Sequence, residues 1–371
     1  LGDKQVTAHE KYPVLEIRSR AIQGNAEVVV KLCHQKNISV AGVIKGVNGL
    51  EPVAELMEQA GCIQIASSRV EQLIAYKKNH PTMETLLLRI PMASEIHYLS
   101  KGVDVSLNSE KSTLEWIEQH FKKVKKTHQV ILMMDLGDLR EGYFDETELI
   151  ETALWVEKEL KWVELAGIGT NLGCYGSIKP TVENLSYLVK VAQKIEAKIG
   201  RKLKWVSGGA TSSLPLVHEG TIPKGINHLR IGEGILLNMD LPLIWDVVIP
   251  GLNQETLLLK AQIIEIKEKP SMPVGEIFVD AFGHKPVYID NGIRKRALVA
   301  LGKQDFAMED KLYPQDQRIK IIGSSSDHLI LDLTDCTETY HVGDAVVFRL
   351  FYGPALHLCT HSIVKKRMVS W

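Results

Sequence analysis

The first two thirds of the chain follows a regular alternation. Short apolar runs rich in Val, Ile and Leu alternate with longer stretches whose apolar residues recur every three or four positions. The runs at 38–45, 62–66, 85–90, 103–107, 129–135, 162–172, 204–207 and 227–231 predict buried strands. The stretches 25–34, 52–60, 69–78, 114–123, 146–160 and 182–199 predict amphipathic helices. Eight strand–helix units within about 230 residues point to a parallel (β/α)8 barrel of the TIM type rather than an open doubly wound sheet. After residue 240 the texture changes. LLLKAQIIEIKEKP, GEIFVDAF, RKRALVALG, IKIIGSSSDHLILDLT and DAVVFRLFYG are β-branched, partly alternating runs separated by Gly, Pro, Asn and Asp. They predict a second, mostly antiparallel C-terminal β-domain. The expected division is a barrel domain over 1–240 and a β-domain over 241–371.

Composition narrows the functional classes. The 371 residues carry 44 Lys+Arg against 45 Asp+Glu, a net charge of −1. That balance argues against a nucleic-acid binder or a membrane-surface protein acting through bulk charge. No apolar run approaches the roughly 20 residues that span a bilayer, and LGDKQVTAHEKYP has no apolar signal-peptide core. Five scattered cysteines without a CxxC pair make a disulfide scaffold or a paired-thiolate zinc site unexpected and a reducing cytoplasm the expected location.

In such a barrel the chemistry sits at the C-terminal ends of the strands. The first strand ends in VAGVIKGVNG, so Lys45 follows an apolar run at the barrel mouth. Partial desolvation there lowers an amine's pKa and makes it nucleophilic; a solvated strand-end lysine is the plainer alternative. The fifth strand runs into MMDLGDLREG, where Arg140 either binds an oxyanion or pairs with Asp138 or Glu141. The sixth runs into GIGTNLGCYG, whose Thr170, Asn171, Cys174 and Tyr175 either face a flat ligand or form a turn. The seventh ends in VSGGATSSLP, where Thr211 and Ser212 either bind phosphate or cap a helix. The eighth ends in HLRIGEG, with Arg230 and the backbone of Gly232 and Glu233. Glycine-rich loops after the last two strands, joined to a lysine on the first, suggest pyridoxal 5'-phosphate.

VIKGVNG, MMDLGDLREGYF, GIGTNLGCYG, VSGGATSSLPL, GINHLRIGE and SSSDHLILDLTD, with further segments between them, resemble the fold-type III pyridoxal-phosphate enzymes of the alanine racemase superfamily, most of all its ornithine racemase branch. The resemblance spans about residues 12–369. It implies that Lys45 carries the cofactor, that Arg140 contacts its phenolic oxygen and that Arg230 faces its pyridine nitrogen. It also implies that Thr211, Ser212, Gly232, Glu233 and Tyr352 serve the phosphate, and that Ser326 and Asp327 lie near the substrate carboxylate. The family's histidine beneath the ring is Asn171 here, and its carboxylated lysine is Met133. Its opposite-face tyrosine is Lys303.

The expected function is therefore an amino-acid racemase for a basic substrate such as ornithine. It would work as a head-to-tail homodimer, with Lys45 on one face of Cα and Asp327 or His328, ahead of Lys303 and Asp305, on the other. A buried pair of His328 with Asp327 would tune that second group. Two alternatives remain. One is a metal-assisted D-hydroxy-amino-acid aldolase or dehydratase, with His357, Cys359 and His361 on one face of a strand. The other is a non-catalytic cofactor-binding regulator. The leading expectation includes no metal.

Overall fold

The computed structural model describes residues 11–280 and 282–371. Its strands in chain order are β1 (Val14–Arg18), β2 (Ser39–Val43), β3 (Gln64–Ser67), β4 (Glu84–Leu87), β5 (Val105–Asn108), β6 (His128–Met133), β7 (Val163–Gly169) and β8 (Trp205–Ser207). They continue with β9 (His228–Ile231), β10 (Leu257–Pro270), β11 (Ile293–Val299), β12 (Leu312–Pro314), β13 (Lys320–Ser324), β14 (Leu329–Asp332), β15 (Ala345–Leu350) and β16 (Lys365–Val369).

Strands β2 to β9 form a closed eight-stranded parallel barrel, sealed where Val40 of β2 pairs with Leu229 of β9. Successive side chains on a strand alternate between faces. On one face Ala41, Val43, Ala66, Leu86, Val105, Leu107, Ile131, Met133, Ala166 and Trp205 make a buried cluster. The outer faces are covered by helices including Ser19–His34, Lys111–Val124, Glu146–Glu159 and Val182–Ile199, whose buried residues recur at helical spacing. Local chemistry marks their ends. Asp145 accepts from the backbone N–H groups of Thr147 and Glu148, and Thr181 with Asn184 forms a reciprocal capping box.

The other compact unit joins the stretch ending at Ser19 to Gln254–Trp371, and the barrel unit is Arg20–Asn253. The second unit is an eight-stranded sheet running β12-β15-β10-β11-β14-β13, with β1 between β10 and β16. All its pairings are antiparallel except β1 with β16. The structure thus divides the chain differently from the expected split at 240. Its first strand, absent from the sequence prediction, belongs with the C-terminal sheet. Glu16 explains the placement. It is fully buried, and its carboxylate pairs with Lys260 on β10 at 3.1 Å and with Arg367 on β16.

Two further expectations change. GEIFVDAF forms no strand over its described residues (Ala281 lies outside them); Asp280 instead accepts from the backbone N–H groups of Phe282 and His284 in a tight turn. The segment Tyr352–Thr360 is a helix, not a strand.

Candidate active site

Lys45 stands immediately beyond β2, at the C-terminal end of the barrel's first strand. The chain turns there through a single 3-10 turn, Lys45–Val47, closed by Asn48 in the left-handed conformation. Gly49 follows at φ +71, where a Cβ would meet Gln72 at 2.6 Å, so only glycine fits. The Lys45 side chain is half-buried, and its Nζ makes no hydrogen bond or ion pair among the described residues. Burial lowers its pKa from the ordinary lysine value; Arg140 and Arg230 push the same way, against Cys174 and Glu141. The result is an available amine that burial biases toward its nucleophilic, unprotonated form.

Arg230, on β9, is buried. Its guanidinium donates to Ser207 Oγ and, at 2.7 Å, to the Thr170 carbonyl. Burial pulls its pKa down to about 10, which still leaves it charged at neutral pH. Behind Ser207 lies His228, two residues before Arg230 and on the same face of β9. Ser207 Oγ is 2.7 Å from His228 Nδ1, and His228 Nε2 is 2.9 Å from Gln64 Oε1. Gln64 Nε2 donates to Glu84, which also pairs with Lys204 at 2.8 Å.

The loops after β6 and β7 are tied together by Asp138. Its buried carboxylate accepts from the backbone N–H groups of Cys174, Tyr175 and Ile178. Asp135 folds the same loop by accepting from Gly137 and Leu139. Arg140 reaches outward and pairs with Glu141 through two nitrogens. Asn171 donates to Cys174 Sγ at 3.0 Å. Met133 is packed in the barrel's apolar cluster.

After β8, Thr211 begins a 3-10 turn (Thr211–Ser213). Its Oγ1 accepts from the Gly234 N–H at 3.1 Å, which leaves its own O–H able to donate. The Ser212 hydroxyl donates to the Leu172 carbonyl, so its proton serves the loop. Gly232 precedes the short helix Glu233–Leu236. The Glu233 side chain turns to its own loop and accepts from Met239 and Asp240; burial raises its pKa.

In the C-terminal unit Tyr352 opens the helix Tyr352–Thr360. Asp327 is exposed, and its two oxygens go to Gln304 Nε2 and Ser326 Oγ. The expected buried pair with His328 is therefore not formed. Lys303 Nζ lies over the Phe282 ring at 4.2 Å, and Asp305 is buried as a capping residue for the Gly302 N–H. Because 352–360 is helical, His357 and Cys359 do not share a face as they would on a strand. Cys359 is buried, whereas His357 bonds the Gln304 carbonyl at 2.9 Å.

The donor set in the barrel unit suits pyridoxal phosphate. An unpaired amine, a buried guanidinium with no carboxylate partner among the described residues, and a threonine hydroxyl with a free proton stand at the ends of β2, β9 and β8. Thr170, at the end of β7, adds a buried hydroxyl oxygen without a partner among the described residues. Sequence reasoning missed Asp138 as a loop anchor, and missed Gln64, Ser207 and His228. The last three were visible only as polar residues at inward positions of apolar strands.

A parallel barrel bearing an available lysine beyond its first strand, in a chain that also carries an antiparallel sheet, defines a class of barrel enzyme. The family model "Alanine racemase, N-terminal domain" matches residues 17–238. The chain belongs to the alanine racemase family. It is 40% identical over 358 residues to the ornithine racemase of Acetoanaerobium sticklandii, covering 96% of this chain and 100% of that one. It is 38% identical over 355 residues to the lysine racemase of Thermotoga maritima, covering 96% and 98%. Among solved structures it resembles alanine racemase from Clostridium difficile 630 in complex with cycloserine (TM-score 0.73, 16% identity, 99% and 97% covered). It also resembles D-threonine aldolase from Filomicrobium marinum (TM-score 0.72, 14% identity, 96% and 91% covered). The last two likenesses concern the fold alone.

Proposed function

We propose that this chain is a pyridoxal-phosphate-dependent racemase of a basic amino acid of the ornithine or lysine kind. The available amine of Lys45, beside Arg230, is the observation that carries the reading; the two named racemase relatives support the substrate class. Bound pyridoxal phosphate supplies an electron-withdrawing ring that makes the Cα proton of an amino acid removable. Lys45 holds the cofactor at rest and moves a proton at Nζ on one face of Cα. Arg230 keeps a proton off the pyridine nitrogen, since adjacent cations repel. Thr211 donates its O–H to the phosphate, and Arg140 approaches the phenolic oxygen by leaving Glu141, an exposed pairing that costs little to break.

Inversion needs a proton-transfer group on each face, because one base returning its proton to the same face restores the starting enantiomer. Asp327 and His328 are the proposed second-face groups, ahead of Lys303, supplied by a second copy of the chain in a head-to-tail homodimer. Exposed apolar side chains at Val274, Phe278, Val287 and Ile289 suit such a buried contact. Five free cysteines suit the cytoplasm, and among the described residues no helix is long and apolar enough to cross a membrane.

Chiral chromatography after incubation with cofactor and a panel of amino acids tests the reading. Ornithine or lysine should invert while alanine inverts far more slowly, and Lys45→Ala should abolish inversion and borohydride-fixed cofactor together. A wild-type protein that binds the cofactor yet inverts neither basic amino acid overturns the function. A Lys45→Ala protein that still fixes cofactor at one lysine overturns the assignment of that residue.

A further inference from the structure

Arg230 is a buried cation that touches no carboxylate among the described residues; its protein partners are a hydroxyl and a backbone carbonyl. Behind it a line of polar side chains crosses the barrel interior. Arg230 lies toward the C-terminal end of β9. Gln64 and Glu84 are the first residues of β3 and β4, at the opposite end of the barrel.

The two ends dictate the direction of every bond between them. A guanidinium can only donate, and a carboxylate can only accept. Glu84 therefore faces Gln64 Nε2, which leaves Gln64 Oε1 turned to His228 at 2.9 Å. His228 Nε2 must then carry the proton. A neutral imidazole has only one, so Nδ1 is bare and accepts the Ser207 O–H at 2.7 Å. The Ser207 lone pair is left for Arg230, which donates to it. Each junction has one donor and one acceptor, and no group is asked to do both at one bond.

We propose that Ser207, His228, Gln64 and Glu84 are positioning residues for Arg230, a one-way hydrogen-bond relay, anchored at the far end of the barrel, that holds the guanidinium in place. A carboxylate in direct contact would neutralise the guanidinium and occupy its donors. The relay holds the guanidinium through a neutral hydroxyl and leaves the remaining N–H groups, and the local positive charge, for an incoming group. This rests on the reading that Arg230 faces the pyridine nitrogen of the cofactor.

The first measurement uses the wild-type full chain with histidine-selective 15N labelling, before and after cofactor is added. His228 should report a protonated Nε2 and a bare Nδ1 in both. The second uses pyridoxal phosphate labelled at its ring nitrogen. Ser207→Ala should shift that nitrogen's resonance and lower kcat about tenfold with KM nearly unchanged, the loss of one hydrogen bond to a charged group. Ser207→Thr, which keeps the hydroxyl, should restore both.

A protonated Nδ1 at His228 in the wild type overturns the relay. So does a folded Ser207→Ala protein whose ring-nitrogen signal and kcat match the wild type. If Ser207→Ala does not fold, the Ser207→Thr protein and the wild-type tautomer decide. A wild-type protein with the stated tautomer that never takes up cofactor supports the relay and counts against the cofactor reading instead.

Discussion

Burial is the main influence on the charge state of two histidines in the barrel. His228 is pushed down to about 3 and His128 to about 4 from an ordinary value of 6.5, and desolvation is the largest cause in each. His128 is 2.8 Å from Ser106 Oγ on the neighbouring strand, as His228 is bonded to Ser207. Both imidazoles are neutral in the folded chain and charge in the unfolded chain below pH 6.5. The unfolded state therefore binds more protons between the folded and unfolded values. Stability is complete above that window and is lost as pH falls through it, with a slope of about 1.4 kcal/mol per pH unit for each histidine. Chemical denaturation between pH 6.5 and 4 should show this, and His228→Asn should reduce the slope by the share of one histidine. An unchanged slope would mean that His228 is already charged in the folded state.

At the scale of elements, β1 is the instructive case. VLEIR is a short strand in front of a helix, indistinguishable by pattern from a barrel strand. Its residues Leu15 and Ile17 are fully buried, and it pairs with β10 and β16, which lie far along the chain. Deleting the chain through Arg18 should strip protection from β10 and β16 in hydrogen exchange and leave β2 to β9 protected, because the barrel closes without β1. Loss of protection across the barrel strands would show that the two units do not fold separately. A subtler change, Glu16→Ala, leaves Lys260 and Arg367 without their shared carboxylate and should cost about 2–3 kcal/mol, less than for a fully buried pair because Arg367 is partly exposed. Denaturant melts of the full chain measure this directly. The helix Tyr352–Thr360 teaches the reverse lesson. Its H-x-C spacing is compatible with a strand, but Pro354 falls within the first helical turn, where proline is tolerated.

For the whole molecule, the C-terminal unit exposes large apolar side chains that are concentrated in residues 272–293. Val274 and Val287 are each 92% exposed and Phe278 is 78% exposed. In the proposed homodimer these side chains are covered. Sedimentation should find a dimer, and Phe278→Asp with Val287→Asp should weaken it at least tenfold, since two buried charges without partners cost more than about 1.4 kcal/mol. A fully active monomer at assay concentration would remove the need for a second copy at the site.

The eight barrel strands were legible from pattern because each is a local apolar run bounded by turn residues, and closure follows from counting them. The prominence of Lys45 was legible too, since position after the first strand is a one-dimensional fact. The relay was not. Gln64, Glu84, Ser207 and His228 are ordinary polar residues in the sequence, and they meet only because closing the barrel brings β3, β4, β8 and β9 around one interior. Nor could the sequence show that Asp327 bonds Gln304 rather than His328, or that the first strand leaves the barrel for the other sheet. Burial periodicity along a chain sets which face of an element turns inward. Which buried polar groups meet there depends on contacts between residues far apart in sequence, and those exist only in the folded molecule.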